Sequence, residues 1–539
     1  MTGHITHANL SSVDDAAANG LIAALDNPGV FGHPVQHIRL IETHISWIIL
    51  TGDYAYKIKK PVDFGFLDFS TLEKRRFYCT EELRLNRRFA PEIYLELVEI
   101  RGSQNAPRLH GNGDVIEYAI KMLEFPQQCL LSAHAANHDL NTDLIDAIAT
   151  TVAAMHATSE RADPASDFGA ATVAAKWSEE NMVHIAQAIG AEFLPNSYFQ
   201  LKRWYQENHS LLTQIDARKR DGFVRECHGD LHLGNMALID DRVTLFDCIE
   251  FNPQLRWIDT MSEVAFVAMD LQARGYPEYC WRFINHYLEI SADYAGVRLL
   301  RYYFIYRAMV RAKVEALRVE QQDRDAKTYP SQLKPAIDYI ELARLWAGNH
   351  RAGMIIMHGL SGSGKSTIAA QLVEALGAIQ LRSDVVRKHL FDLDAAAQTD
   401  SELDQGIYNE DATESTYRSL QQIAQTIIDA DFTVILDATF LQQSRRRQML
   451  ETQTSTACNR IIINCEAPVA ELRKRIIERE DDPSEANLEV LEQQLLTRQP
   501  INADDEALAH IINIGSDGIS PQQIQQIREL LAVGLTAQE

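Results

Sequence analysis

The run Gly359-Leu360-Ser361-Gly362-Ser363-Gly364-Lys365-Ser366-Thr367 fits the spacing G-x-x-x-x-G-K-[ST] completely. Glycine or serine at Gly359, Ser361, Gly362, Ser363 and Gly364 lets the backbone wrap closely and turn its N–H groups toward phosphate oxygens. An apolar run at 354–358 leads in as a strand, and a helix beginning at Lys365 adds the favourable potential of its N-terminus. Lys365 is spaced to reach β/γ-phosphates, the Ser366 hydroxyl to complete a Mg²⁺ shell, and Thr367 closes the phosphate-binding run.

Further candidates follow the strands of the same region. The second strand ends in Arg382-Ser383-Asp384, and ligands of such sheets gather beyond the C-terminal ends of the strands. Asp384 is thus placed to take a proton from a substrate hydroxyl, with Arg382 or Arg387 placed to hold an anionic group. Asp437 ends the third strand and can orient Mg²⁺-bound water. In the basic stretch ELRKRIIERE, Arg475 and Arg479 stand four apart on one helical face and can supply mobile positive charge to a phosphoryl group.

A second constellation precedes these. In His228-Gly229-Asp230-Leu231-His232-Leu233-Gly234-Asn235, Asp230 can serve as base toward a hydroxyl and Asn235 as a metal ligand, with Asp247 supplying a bridging carboxylate. Hard oxygen ligands suit magnesium and nucleotide phosphates better than zinc. Lys57 and Lys59 lie on the same side of a strand. Lys57 is the preferred contact to α/β-phosphates, with Glu82 as its partner and Glu81 as the near alternative.

These groups need two different scaffolds. Trp47–Leu50 and Tyr54–Ile58 read as a hairpin, and Ser70-Thr71 starts a long charged helix. Strands are expected at 93–100 and 115–122. Helices follow from about residue 141, including 171–189, 197–214, 261–273, 277–290 and 296–319. After residue 350 the pattern alternates, with strands at 354–358, 378–382, 432–436, 460–464 and 510–514 separated by helices. That is the mark of a parallel sheet. The reading is an N-terminal extension at 1–34, an α+β domain at 35–325, a linker helix within 326–350, and an α/β domain at 351–539.

The 539 residues carry 51 Lys plus Arg against 75 Asp plus Glu, a net charge of −24. Such a field repels phosphate backbones and anionic lipid, so long nucleic acid is not the expected partner. Seven cysteines without a C-x-x-C pair argue for reduced thiols. Without a secretory start or a membrane-length apolar run, the expected address is the cytoplasm, and no membrane partner is expected.

The region from Gly359 to Asp437 resembles the P-loop small-molecule and polynucleotide 5′-hydroxyl kinases, including zeta-toxin-like enzymes. Residues 35–320 resemble the aminoglycoside phosphotransferase-like branch of the protein-kinase-like fold. That resemblance implies a bilobal domain with Asp230 as catalytic base, Asn235 and Asp247 as metal ligands, and Lys57 with Glu82 as the nucleotide-positioning pair. The departures are His-Gly-Asp in place of His-Arg-Asp, and Glu42-Thr43-His44-Ile45-Ser46-Trp47 where a glycine-rich loop would lie. The whole chain resembles a bacterial bifunctional aminoglycoside phosphotransferase-like and ATP-binding family, with landmarks such as Leu67-Asp68-Phe69-Ser70-Thr71 and Glu250-Phe251-Asn252.

The function expected is ATP- and Mg²⁺-dependent phosphorylation of a small hydroxylated metabolite. Glu250 and Asp259 can receive a polycation or bond a neutral sugar, and Arg256 can favour an acidic one; Asp259 can instead cap structure and hold Arg256. The alternatives are a nucleoside or polynucleotide 5′-hydroxyl kinase in the C-terminal half, or a nucleotide-responsive regulatory module with a non-catalytic first half.

Overall fold

The computed structural model describes residues 20–65, 67–320, 328–348, 352–395, 397, 407, 409–455, 457–478 and 487–532. They form two compact units, each built from several chain segments.

The first unit takes residues up to Leu140, Thr158–Ala170 and Lys219–Glu263. Its antiparallel sheet comprises β1 (Arg39–Glu42), β2 (Ser46–Leu50), β3 (Tyr54–Lys59), β4 (Tyr94–Ser103), β5 (Ala106–Arg108) and β6 (Val115–Leu123), in the order β1-β2-β3-β6-β4-β5. The unbroken apolar run of β2 makes sense because the sheet is covered on both faces. Trp47, Ile49, Tyr56 and Ile58 enter one core cluster, while Leu50 and Ala55 enter another with Cys79 and Tyr94.

Helix α1 (Leu72–Asn86) begins where Thr71 accepts a hydrogen bond from the Lys74 N–H, and it buries Cys79, Glu82 and Asn86 on one stripe. Side chains alternate along β3, so Lys57 and Lys59 share a face with Ala55 and point toward this helix. Two short ladders complete the unit. One pairs β7 (Val224–Glu226) with β10 (Trp257–Asp259), and the other pairs β8 (Met236–Ile239) with β9 (Arg242–Leu245).

The second unit takes residues 141–157, 171–218 and the chain from Val264 onward. Its first helices are α2 (Thr142–Thr158), α3 (Ala171–Ile189), α4 (Pro277–Ser291), α5 (Val297–Glu320) and α6 (Lys334–Ala347). The helix expected over 197–214 is instead two, Asn196–Glu207 and Leu212–Arg220, separated by a 3₁₀ turn at His209–Leu211.

After α6 comes a five-stranded parallel sheet of β11 (Gly353–His358), β12 (Ile379–Arg382), β13 (Val434–Asp437), β14 (Asn459–Cys465) and β15 (His510–Ile514), in the order β12-β13-β11-β14-β15. Its crossovers include α7 (Lys365–Leu376), α8 (Ser383–Leu390), α9 (Glu410–Asp429), α10 (Gln443–Leu450), α11 (Val469–Ile477), α12 (Leu488–Thr497), α13 (Ala503–Leu508) and α14 (Pro521–Ala532). The expected fold class is therefore observed, an antiparallel sheet with helices followed by a parallel P-loop sheet.

The sequence pattern gave no sign that the outer strand β12 would be covered by α4. Trp281 packs so tightly on Gly377, which has φ +69°, that a Cβ there would lie 2.7 Å from the indole nitrogen. Trp281 also stacks on Trp346, which stacks in turn on Phe304 with centroids 3.7 Å apart. Asn285 accepts from the Gln380 N–H at 2.7 Å and donates to the Ala378 carbonyl at 2.9 Å, acting as a one-residue substitute for a neighbouring strand. Leucine at this position would leave both buried backbone groups unpaired, at roughly 1–3 kcal/mol each. Asn285→Leu is expected to lower the urea midpoint of the full chain, followed by tryptophan fluorescence; an unchanged midpoint would contradict the bridging role.

Candidate active sites

In the first unit, residues far apart in sequence converge on one charged cluster. Lys57 donates to Glu82 at 2.6 Å and to Asp247 at 2.5 Å. Lys59 donates to the other Glu82 oxygen at 2.6 Å and also to Glu250. Glu82 and not Glu81 is thus the helix carboxylate facing β3; Glu81 pairs with Arg84 at 3.0 Å and lies 3.6 Å from Arg256.

Burial works to raise the Glu82 carboxyl, but the two ammonium groups outweigh it and hold it well below the usual carboxylate range. Burial likewise works to lower Lys57, and Asp247 and Glu82 more than reverse it, so its charge is secure. Glu250 is buried against Lys59, a poor receiver for a polycation. Arg256 pairs with Glu226 at 3.0 Å, while Asp259 accepts from the Met261 N–H and caps the next helix.

The segment His228–Asn235 folds as a tight loop. Asn235 donates to both the backbone carbonyl and the carboxylate of Asp230, at 2.9 and 3.1 Å. His232 lies 3.5 Å from the same carboxylate. The His228 Nε2 donates to the Phe246 carbonyl at 2.7 Å, tying the loop to the segment that carries Asp247. Burial pushes the His228 imidazole down, which favours this neutral donor.

The departure at Gly229 has a steric cause. Its φ is +90°, and a side chain would begin 2.8 Å from the Leu255 carbonyl oxygen. Glu263, which the sequence reading missed, accepts from the His228 and Gly229 N–H groups at 3.1 and 2.6 Å. Where a glycine-rich loop would lie, β1 and β2 are joined by a turn braced by Thr43, whose hydroxyl donates to the Ser46 carbonyl and accepts from the Ser46 N–H.

In the second unit, the phosphate loop joins β11 to α7 as expected. Lys365 is buried and donates to the Leu360 carbonyl at 2.8 Å. Ser366 and Thr367 stand in the first turn of α7, and Ser361, Gly362 and Ser363 form the buried bend before it. Arg475 on α11 reaches the Gly362 carbonyl at 3.5 Å while bonded to Glu471 at 3.0 Å. Arg473 pairs with Glu492 instead. Arg479 and the segment 482–486 lie outside the described residues.

Asp437 is buried as the last residue of β13, directly across from Arg382 in the parallel register. Its carboxylate accepts from Gln380 at 2.9 Å. Asp384 stands in the first turn of α8, and Arg387 is buried on the same helix, donating to the Ile407 carbonyl and the Thr413 hydroxyl at 3.0 and 3.1 Å.

Two neighbours went unseen in the sequence. Arg445 lies over the Tyr417 ring at 4.2 Å, and Tyr417 bonds the Thr439 side chain. Gln494 caps the phosphate loop, accepting from the Ser361 N–H at 2.8 Å and donating to its hydroxyl at 3.0 Å. The run Arg445-Arg446-Arg447 could have drawn attention to Arg445. Nothing in the sequence marked Gln494.

Oxygen-bearing side chains of the kind Mg²⁺ takes stand in both units: Asn235 and Asp247 in the first, Ser366 and Asp437 in the second.

Two family models match the chain, and the first spans parts of both compact units. Residues 79–300 match the model of the phosphotransferase enzyme family, and residues 354–501 match that of an AAA domain. The chain therefore has a two-domain architecture, a phosphotransferase-type domain followed by a P-loop ATPase-type domain. Both domain types support phosphotransferase activity. An uncharacterized protein of Mycobacterium tuberculosis is 28% identical over 467 residues, covering 85% of this chain and 90% of its own.

Among solved structures, a choline/ethanolamine kinase family protein from Mesorhizobium loti is 10% identical and covers 62% of this chain and 99% of its own, with a TM-score of 0.37. An ADP-bound aminoglycoside phosphotransferase is 14% identical over 62% of this chain and 99% of its own, at 0.34. A sugar kinase from Janibacter sp. HTCC2649 is 18% identical over 34% of this chain and all of its own, at 0.26. Among the described residues, no helix is long and apolar enough to cross a membrane.

Glu82 gives a direct test of the charged cluster. Glu82→Gln would take from each of two buried lysines one of its two carboxylates and is expected to destabilise the first unit by about 3–5 kcal/mol. Because its carboxyl ionises at lower pH in the folded chain than in the unfolded one, its contribution is fully present above pH 4.5 and drains away on acidification below it. Denaturation curves across that range should show a pH-dependent component in the wild type that the variant lacks. Equal curves would contradict the assignment.

Proposed function

We propose that the chain is an ATP- and Mg²⁺-dependent phosphotransferase acting on a small hydroxylated metabolite in the cytoplasm, with one nucleotide site in each half. The observation that carries the reading is Lys57, bonded at once to Glu82 of α1 and to Asp247 beyond β9. A fixed ammonium beside a metal-type carboxylate is what a nucleotide polyphosphate requires. The proposed domain boundaries are 35–325 and 351–539, joined by the helix within 326–350.

In the first half, Asp230 accepts the proton of the substrate hydroxyl. The Asn235 amide is bonded to that carboxylate and restrains it. Lys57 contacts α/β-phosphates, oriented by Glu82, while Asn235 and Asp247 hold the metal. In the second half, Gly359, Ser361, Gly362, Ser363, Gly364 and Thr367 surround the phosphates and Lys365 reaches the β/γ-oxygens. Ser366 and Asp437 hold the metal. Asp384 serves as base, Arg382 and Arg387 engage the acceptor, and Arg475 with Arg479 offsets charge on the transferred group. Bound Mg²⁺ would neutralise phosphate oxygens as charge develops on them.

A second reading is favoured by one observation, the Thr43-braced turn in place of a glycine-rich loop. It makes the first half a nucleotide-responsive regulator. The two readings separate in a chain whose second site is disabled by Lys365→Ala, with phosphate followed onto a panel of sugars, polyols, amino alcohols and nucleosides. Transfer is expected, and Asp230→Asn should lower it by about 10²–10⁴-fold while Mg²⁺-ATP binding survives. Transfer unchanged by Asp230→Asn would defeat the base assignment, and no transfer across the panel would favour the regulatory reading.

A further inference from the structure

Two landmark segments of the sequence, 67–71 and 250–252, meet at Lys59. Phe69 is fully buried, and the Lys59 ammonium lies over its ring, 4.7 Å from the centroid. Phe69 packs with Val62 and Leu67, with Phe251 against them, and its carbonyl accepts from Arg75 at 2.9 Å. Glu250, the residue before Phe251, bonds the ammonium directly.

The result is two rows of ion pairs in register. Lys57 and Lys59 share one face of β3, and each takes one oxygen of Glu82 at 2.6 Å. Asp247 and Glu250 follow one another in a single segment; Asp247 bonds Lys57, and Glu250 bonds Lys59. The rows differ in depth. The Asp247 side chain is 43% exposed, whereas those of Lys59 and Glu250 are 0% and 5% exposed. A ligand can reach the outer row and not the inner one. Lys59 can therefore act on a ligand only through the carboxylates it holds.

We propose that Lys59 is a positioning residue of the first nucleotide site: it takes up Glu250 and one oxygen of Glu82, so that Lys57 keeps its charge for the phosphates. The proposal rests on the reading that Lys57 contacts the phosphates of ATP. Charge balance gives the reason. Two ammonium groups face three carboxylates, Glu82, Asp247 and Glu250, a net charge of −1. Without Lys59 the three carboxylates are left with one ammonium, and the net becomes −2 beside a polyphosphate anion. Without the Glu250 charge the net is 0, and Lys59 pulls harder on Glu82. Charges this close, with little water between them, are weakly screened, so either change is felt by the ligand.

The test uses the full chain carrying Lys365→Ala, which disables the second site. Isothermal titration calorimetry reads its affinity for a non-hydrolysable ATP analogue with Mg²⁺. Adenosine, which has no phosphates, is titrated in parallel by ligand-observed nuclear magnetic resonance. Lys59→Met is expected to weaken binding of the analogue about tenfold, and Glu250→Gln to tighten it about threefold. The double variant should return close to the starting chain, because the two charge changes cancel. Adenosine affinity should be the same throughout. Circular dichroism and thermal melting establish that each variant is folded.

Unchanged or weaker binding of the analogue in Glu250→Gln would overturn the proposal, and that variant decides the matter if Lys59→Met does not fold. Equal losses of analogue and adenosine in Lys59→Met would overturn it too, marking Lys59 as simple structural support. If the Lys365→Ala chain binds neither analogue nor adenosine, the reading of the first half as a nucleotide site falls first, and this proposal with it.

Discussion

An ammonium group buried without a counter-charge costs several kcal/mol, yet a polyphosphate site needs such a group held in place before the ligand arrives. Both halves of this chain hold a buried lysine in place, by different means. Lys57 is neutralised by two carboxylates contributed by a helix and a loop distant in sequence. Lys365 leans on the carbonyl of Leu360, within its own loop. The first solution requires the antiparallel sheet, α1 and the Asp247 segment to assemble before the lysine is stable. The second is local, and a strand–loop–helix suffices for it.

The difference extends to how each site is supported. Around the first cluster, charged pairs join element to element: Glu226 is held by Arg84, Arg88 and Arg256, and Lys59 by Glu82 and Glu250. Around the phosphate loop, backbone hydrogen bonds and apolar packing predominate, with Ile355, Met357, Ile435 and Ile463 in one continuous core. The open edge of that parallel sheet is closed by Asn285 and Trp281 of α4. The compact unit containing the P-loop sheet consequently includes helices that precede it by more than a hundred residues in the chain.

How much of this was legible in the sequence follows from the range of each interaction. The phosphate loop, α7 and β15 were read at their observed positions because strand, loop and helix are encoded in consecutive residues. Lys57 and Glu82 are expected as a pair and Asp247 apart from them, and the structure brings all three into one cluster. What a sequence does not print is the competition between partners. Lys59 shares Glu82, Glu250 is taken up by Lys59, and Arg256 turns to Glu226. Gln494 and Glu263 bond backbone N–H groups, an interaction with no periodicity or motif behind it. The break between Asn196–Glu207 and Leu212–Arg220 was missed because apolar spacing continues across a 3₁₀ turn.

The central claim is that one chain carries two nucleotide sites of unrelated construction. Native mass spectrometry of the full chain with Mg²⁺ and a non-hydrolysable ATP analogue tests it most directly. The account predicts a species with two nucleotides bound per chain, falling to one when Lys365 is replaced by alanine. A wild-type chain that never takes up more than one nucleotide, at concentrations saturating the first, would contradict it.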